Sequence, residues 1–278
     1  MRNAASLRSP LPALARNTDG SSALVEANDV GVAIAAVTSG ALAARVARFV
    51  APKAGSKMGR RLIEHPAFGH YAKAPDIGKV GYPYYDTVGD DAQEANYWAS
   101  SSHWNATVRS AVAPDMSPID KVHLHLDEAL PRGARLLRDA EGRPAFAGLA
   151  RVFQEGGEAL PHVDRLEWDA PAGRFAFTPV CQYAANVYLH MPPWGGELEI
   201  WRQKPTQTQY EELRLAGSYG LDRARLGEAA IVIRPRPGDL IIFDAQNVHA
   251  VRASHSGARV TVSMFILRAE NGEAFIYS

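Results

Sequence analysis

Three side chains of the sequence have the types and spacing of a metal site. His162 and Asp164 stand two residues apart, and His249 follows much later in the chain. In an extended strand, residues i and i+2 project from the same face, so His162 and Asp164 can point at one ion while Val163 faces the other way. Two histidines and one carboxylate on one side of an ion leave its other positions open, an arrangement that holds Fe(II) for oxygen chemistry.

Such ligands need strands to carry them, and the second half of the chain has the pattern of strands. From Leu149 onward, short apolar or alternating runs are separated by turn residues, which is typical of an all-β barrel or sandwich. The predicted strands cover residues 149–153, 160–164, 181–189, 197–201, 229–234, 240–243, 248–251 and 259–267. Eight strands is the number of a jelly roll. The predicted fold class is therefore mainly β, with a jelly-roll core over residues 149–270.

The first half of the chain is expected to support this core with helices. Residues 30–37 form a short, valine-rich apolar run that predicts a covered strand. Ser39 predicts the N-cap of a helix over residues 41–50, which Pro52 would end. A second helix is expected from Pro118 to about Leu130.

We expect a single domain over residues 1–278. Within it, residues 1–22 form a loose tail, residues 23–148 a helical support region, and residues 202–228 an insertion in the core that looks helical near Tyr210. A loop of that length inside a compact domain is often functional, for instance as a lid. The aromatic stretch over residues 82–104 predicts loops and short helices, either as packing or with an aromatic side chain over the mouth of the barrel.

Composition limits the partners. Thirty basic and thirty acidic side chains cancel, so no overall charge favours nucleic acid or an anionic membrane, and a small-molecule substrate is expected. Residues 1–17 lack the apolar segment of a secretory signal, and residues 31–50 are interrupted by Arg45 and Arg48. Cys181 is the single cysteine, which is consistent with a reducing, cytoplasmic compartment where ferrous iron persists.

The order of these motifs resembles a known family. His162-x-Asp164, His249 and then Arg259 ten residues later, within the strand pattern, resemble the iron(II)/2-oxoglutarate-dependent oxygenases over roughly residues 149–267. The stretches at residues 186–189 (NVYL) and 237–239 (PGD) resemble the same family, in its prolyl-hydroxylase-like and stand-alone amino-acid hydroxylase branch. The resemblance implies a double-stranded β-helix.

The resemblance also implies roles for these residues. His162, Asp164 and His249 would bind Fe(II), with 2-oxoglutarate and O2 as cosubstrates. Arg259 would bind the far carboxylate of 2-oxoglutarate, since a guanidinium offers a planar fork of donors. Thr261 matches the hydroxyl residue of the family's RxS pattern, and Tyr188 matches a tyrosine that in some members also donates to this carboxylate. Asp164 favours a hydroxylase, because related halogenases have glycine or alanine at that position.

The expected activity is hydroxylation of an unactivated C–H bond of a small molecule, with release of succinate and CO2. An amino acid or an amino-acid derivative is the favoured substrate. Three alternatives stay open: a protein-residue hydroxylase of the prolyl type, a cupin-like metal-binding module, and a zinc hydrolase. Arg151, Trp201 and Tyr210 are candidates for substrate contacts, and each could equally be structural.

Overall fold

The computed structural model of the protein describes residues 23–72, 74–170, 173–177 and 179–278. The tail predicted over residues 1–22 lies outside the described residues. The helices are α1 Val30–Thr38, α2 Pro52–Ile63, α3 Asp91–Val112, α4 Pro118–Ala129, α5 Leu166–Asp169 and α6 Gln207–Leu213, with 3-10 turns at Tyr84–Thr87 and Arg223–Arg225. The strands are β1 Leu24–Ala27, β2 Ala43–Val46, β3 Gly69–His70, β4 Ile77–Val80, β5 Ala134–Leu136, β6 Leu149–Phe153, β7 Ala159–His162, β8 Pro179–His190, β9 Trp194–Gly195, β10 Leu198–Ile200, β11 Ile231–Ile233, β12 Leu240–Asp244, β13 His249–Val251, β14 Ser254–His255, β15 Arg259–Ala269 and β16 Ala274–Tyr277.

Two facing groups of antiparallel strands form the jelly roll. In the larger sheet, β12, β8, β15 and β6 are consecutive neighbours, and the smaller sheet has the order β11-β10-β13-β7. These are the eight strands predicted from the sequence, and each lies within two residues of its predicted bounds. The predicted fold class is confirmed.

The region before the barrel contributes strands as well as helices. β1 and β2 extend the larger sheet beyond β12, and β4 and β3 extend it beyond β6. On the outer face, α2 packs so closely on β8 that a Cβ added at Gly55 or Gly59 would lie 3.5 Å from Leu189. The helices thus cover one face of the larger sheet and leave the other face free to meet the smaller sheet.

Two predictions for residues 30–50 were wrong. Residues 30–37 belong to helix α1, because the side chain of Asp29 accepts a hydrogen bond from the backbone N–H of Val32 at 2.8 Å and caps the helix. Residues 41–50 contain strand β2 instead of a helix, because β2 pairs with β1 on one side and β12 on the other. Pro52 begins α2 and does not end a helix.

The aromatic region also differs from prediction, since residues 91–112 form one helix of 22 residues. Its buried face includes Glu94, Ser101 and Asn105, whose polar side chains hid the helical period of the apolar residues. Each of these three side chains makes hydrogen bonds, as buried polar groups require. The helix predicted from Pro118 is confirmed as α4. No helix in the described parts of the chain is both long and apolar enough to cross a bilayer.

Candidate active site

Strands β7 and β13 bring the two histidines of the motif together. The strands pair antiparallel with His162 directly opposite His249, and the ring centroids lie 4.3 Å apart. Asp164 follows β7, and its backbone N–H donates to the carbonyl of Ala245 at 2.9 Å. Nε2 of His249 lies 3.1 Å from Oδ2 of Asp164, and Nε2 of His162 lies 3.8 Å from Oδ1. Three donor atoms, one from each side chain, thus lie within 4.8 Å of one another.

The far side of each ring is fixed by a backbone carbonyl. Nδ1 of His162 lies 2.7 Å from the carbonyl oxygen of Leu160, and Nδ1 of His249 lies 2.9 Å from that of Asn247. Because a carbonyl oxygen can only accept, each Nδ1 donates, and in the neutral ring each Nε2 then has a lone pair available for an ion that lies between the two rings and Asp164. Histidine ligands of metals are oriented in this way.

Burial and mutual charge set the protonation of the cluster. Burial lowers the pKa of His162 to about 4, with a further contribution from His249 that outweighs the opposing effect of Asp164. Burial by itself would raise the pKa of Asp164, but His162, His249 and Arg151 outweigh it and lower that pKa to about 2. A neutral imidazole and an ionised carboxylate are the forms that bind a metal.

The donor set fits Fe(II). Two ligands held at right angles, each at about 2.1 Å from an ion, are about 3.0 Å apart. The observed separations of 3.1 and 3.8 Å need only small side-chain rotations to reach that value. Three protein ligands on one side would leave positions for a chelating cosubstrate and O2.

The triad lies in a cavity of about 360 Å³ between the two groups of strands. Aromatic side chains form much of the wall: Tyr71, Tyr84, Tyr85, Phe153, Trp168, Tyr210, Tyr219, Phe243, Phe265 and Tyr277. A volume of this order is typical of sites for small molecules.

Arg259 is a buried cation in the same cavity. It is 2% exposed, and its guanidinium lies 4.9 Å from the ring of Phe153 and 5.0 Å from the ring of Tyr188. Nη2 donates weakly to the Tyr188 hydroxyl at 3.5 Å, while Nε has no hydrogen-bond partner. Burial lowers the pKa of Arg259, and no carboxylate of the described residues forms an ion pair with it. Such an orphaned charge is costly, so its environment is suited to an anionic ligand.

Thr261, Tyr188 and Arg151 form one row across three strands. Thr261 on β15 lies opposite Tyr188 on β8 and opposite Arg151 on β6, and ladder partners share a face of the sheet. Thr261 and Tyr188 are buried beside Arg259. The structure therefore places His162, Asp164, His249, Arg259 and Thr261 on the wall of a single cavity. Tyr188 does not line this cavity and contacts Arg259 from behind the wall.

The structure places two of the three candidates for substrate contacts at the cavity and the third elsewhere. Arg151 and Tyr210 line the cavity, but Trp201 does not. Trp201 comes directly after Ile200, which lies opposite His249, so its side chain projects to the other face of the strand. There it packs in a separate apolar cluster, and its indole N–H donates to the carbonyl of Gly227 at 2.9 Å.

Several wall residues were missed by the sequence reasoning. Tyr71 and Tyr219 lie in irregular segments without any periodic signal. Tyr85 belongs to the aromatic stretch that was considered for the barrel mouth. Gln182 and Asn186 follow the inward-facing alternation of β8, and each has a buried amide atom without a hydrogen-bond partner. The alternation of β8 could have identified these two.

The insertion is hydrogen-bonded to β7, the strand that carries His162. The backbone N–H of Leu160 donates to the Tyr219 hydroxyl at 3.1 Å, and that of Leu221 donates to the carbonyl of Pro161 at 2.7 Å. The Tyr210 hydroxyl in turn donates to the carbonyl of Tyr219 at 2.6 Å. The insertion therefore covers the cavity from a position fixed on β7.

Comparisons with known proteins point to the same chemistry. Residues 147–267 match the family model described as the 2OG-Fe(II) oxygenase superfamily. The chain is 30% identical over 139 residues to the L-gamma-glutamyl-L-propargylglycine hydroxylase of Streptantibioticus cattleyicolor, covering 49% of this chain and 50% of that protein. It is 30% identical over 146 residues to the L-isoleucine 3(1)-dioxygenase of Pantoea ananatis, covering 50% and 49%. The chain thus spans about half the length of these curated relatives.

A solved structure resembles the whole fold. The N-substituted L-amino acid dioxygenase of Burkholderia ambifaria, in complex with alpha-KG, aligns with a TM-score of 0.61 at 16% identity and covers 90% of this chain and 91% of that one. This likeness concerns the fold. The matched family model covers residues 147–267, which is less than half of the chain, and in sequence and in the arrangement of the triad these residues resemble the 2OG-Fe(II) oxygenase superfamily.

Proposed function

We propose that the protein is an Fe(II)- and 2-oxoglutarate-dependent dioxygenase. It hydroxylates an unactivated C–H bond of a small molecule, an amino acid or amino-acid derivative, and releases succinate and CO2. The observation that carries this proposal is the joint presence, in one cavity, of the His162–Asp164–His249 cluster and the orphaned guanidinium of Arg259.

Each part of the site has a role in the proposal. His162, Asp164 and His249 hold the iron. Arg259 binds the far carboxylate of 2-oxoglutarate through its planar fork, with the Thr261 and Tyr188 hydroxyls beside it. When bound, iron and 2-oxoglutarate supply the O2-derived oxidant that replaces a C–H bond by C–OH. The remaining wall orients the substrate and excludes water.

The relatives support the substrate class. One curated relative is named as a hydroxylase of L-gamma-glutamyl-L-propargylglycine and the other as a dioxygenase of L-isoleucine, and the solved structure is named for N-substituted L-amino acids. A cavity of about 360 Å³ roofed by an insertion suits such molecules, whereas a protein-residue hydroxylase needs a long open groove. Arg259 also argues against a zinc hydrolase, since hydrolysis has no use for a deep unpaired cation.

We also propose, from the sequence, that residues 1–278 form one oxygenase domain. Its core covers residues 149–270, with the insertion over residues 202–228. A cytoplasmic location agrees with the single cysteine and with the need to keep iron ferrous.

The proposal is tested by anaerobic titration of the metal-free protein with Fe(II) and then 2-oxoglutarate. A visible metal-to-ligand charge-transfer band that requires both additions is expected, followed by succinate release when an amino-acid derivative is added in air. Tight metal binding without the band would favour the hydrolase or the binding module. A band without stimulation by any amino acid or derivative would contradict the substrate class.

A further inference from the structure

The cavity contains a second arginine, Arg151, that forms no ion pair with a carboxylate of the described residues, although its charge contributes to the low pKa of Asp164. Arg151 lies on β6, opposite Thr261, while Arg259 lies opposite Phe153 two residues further along the same strand. The two guanidiniums therefore belong to neighbouring rows of one sheet face, and both line the cavity. One dicarboxylate cosubstrate, chelated to iron at one end, brings one free carboxylate and can satisfy one of them.

The hydrogen bonds of Arg151 leave its terminal nitrogens available. Nε donates to the Tyr71 hydroxyl at 2.7 Å, and the guanidinium carbon lies 5.9 Å from the ring of Phe265. Among the described residues, neither terminal nitrogen has a hydrogen-bond acceptor, and no carboxylate lies within ion-pair distance. An arginine cannot be neutralised at ordinary pH, so a partly buried fork of this kind attracts an anion.

Tyr71 fixes the direction of that fork. Its hydroxyl is 2.7 Å from Nε, and the residue is 8% exposed, so the guanidinium cannot turn freely about its long axis. With Nε occupied, the two terminal nitrogens remain as a parallel pair of donors. This is the geometry that binds a carboxylate through two hydrogen bonds.

Arg259 is more deeply buried than Arg151, and this difference suggests a different ligand for each. Arg259 is 2% exposed and is enclosed by Phe153 and Tyr188, whereas Arg151 is partly exposed along the cavity wall. The deeper site suits the cosubstrate, whose far carboxylate would be enclosed beside Arg259. The shallower site suits a molecule that enters afterwards.

We propose that Arg151 binds the carboxylate of the substrate, with Tyr71 as its positioning residue. The substrate class is then a molecule with a free carboxylate, such as an amino acid that is unmodified at its carboxyl group. The inference rests on the proposed function and adds to it the group of the substrate that is recognised and the residue that recognises it.

The test compares acids with their amides on the enzyme loaded anaerobically with Fe(II) and 2-oxoglutarate. The probes are L-isoleucine with L-isoleucinamide, and N-acetyl-L-isoleucine with its amide. Binding is followed by the shift of the charge-transfer band and by calorimetry, so turnover is not needed. At least one acid should bind the wild-type protein at least about 30-fold more tightly than its amide, as expected for a desolvated ion pair.

Two variants and a control locate the effect. Arg151→Leu should weaken binding of the acid by about 30-fold or more and abolish the preference over the amide. Arg151→Lys should retain part of the preference, because a point charge remains without the fork. Arg109→Leu removes an arginine of α3 that pairs with Asp120 outside the cavity, and it should leave the preference unchanged. Unaltered 2-oxoglutarate affinity in Arg151→Leu shows that the variant is folded.

The outcomes separate this inference from the proposed function. Equal binding of acids and amides, or no binding of either acid at millimolar concentration, overturns the role of Arg151 while the 2-oxoglutarate band persists. Loss of 2-oxoglutarate affinity in an Arg151→Leu protein that still binds Fe(II) as the wild type does also overturns it, since the residue would then serve the cosubstrate. Absence of the band in the wild-type protein refutes the proposed function itself.

Discussion

Replacing Arg259 by glutamine removes the charge proposed to bind 2-oxoglutarate while keeping a polar side chain at the site. Breaking a buried, hydrogen-bonded ion pair costs about 3–5 kcal/mol. At about 1.4 kcal/mol per factor of ten, the affinity for 2-oxoglutarate should fall by roughly 10²- to 10⁴-fold. The proposed iron ligands lie on β7 and β13 and just after β7, whereas Arg259 lies on β15, so Fe(II) affinity should be unchanged.

The same substitution should do little harm to the empty protein. Contacts of the guanidinium with the rings of Phe153 and Tyr188 stabilise the fold by about 0.5–2 kcal/mol each. Burying the cation without a carboxylate costs several kcal/mol in the opposite direction. We expect the free energy of unfolding, without metal and 2-oxoglutarate, to fall by less than about 2 kcal/mol or to rise.

Calorimetric titration of 2-oxoglutarate into the anaerobic Fe(II) protein measures the affinity, and urea unfolding measures the stability. Arg109→Gln is the matched control, because it removes an arginine that is about half exposed and paired with Asp120. The reasoning would be refuted if Arg259→Gln bound 2-oxoglutarate within about threefold of wild type. Loss of iron with 2-oxoglutarate binding retained would refute it equally.

Other substitutions test the ligands and the fold. His162→Ala and His249→Ala should each weaken Fe(II) binding by more than about 100-fold, since each removes one of the three proposed ligands. Metal content after dialysis measures this loss. Stoichiometric iron retained by a variant would exclude the replaced residue as a ligand. Asp29→Ala should lower the free energy of unfolding by about 1 kcal/mol through loss of the α1 cap, measured in urea, with 2-oxoglutarate affinity unchanged. Gly195→Ala should cost at least about 2 kcal/mol, because φ is 75° and the new Cβ would lie 1.8 Å from a backbone carbonyl oxygen. Gly69→Ala, where nothing lies within 4 Å of the new Cβ, is its control, and equal losses in the two would contradict this explanation.

The barrel could be predicted because its strands are bounded by local signals. Glycine and proline turns separate short alternating runs there, and pairing in a sheet then follows from alternation. The elements over residues 30–50, by contrast, cannot be assigned from local signals alone. The run over residues 30–37 is apolar enough for either a strand or a buried helix, and a single cap at Asp29 decides it. β2 is a strand because β12, nearly two hundred residues later, pairs with it.

The site was predictable to the extent that it lies on strands. The two-residue spacing predicted that the side chains of His162 and Asp164 face the same point. The strands that contain His249 and Arg259 place these two side chains on inward faces. A displacement of one residue reverses the face, which is why Trp201 lies outside the cavity. The wall residues contributed by irregular segments depend on the path of loops, which has no period that a sequence displays.

The attachment of the insertion to β7 has a consequence for how this protein can acquire new specificities. The N–H of Leu160 is held by Tyr219 of the insertion, and the carbonyl of the same residue holds the ring of His162. The roof of the cavity and His162, a proposed ligand of the metal, thus share one anchoring residue. A chimera whose new insertion lacked a residue equivalent to Tyr219 would lose this anchor at the same time as it changed the roof. Diversification of substrate range is therefore easiest through individual side chains of the insertion, with its backbone path and Tyr219 conserved, and hardest through exchange of the segment as a module.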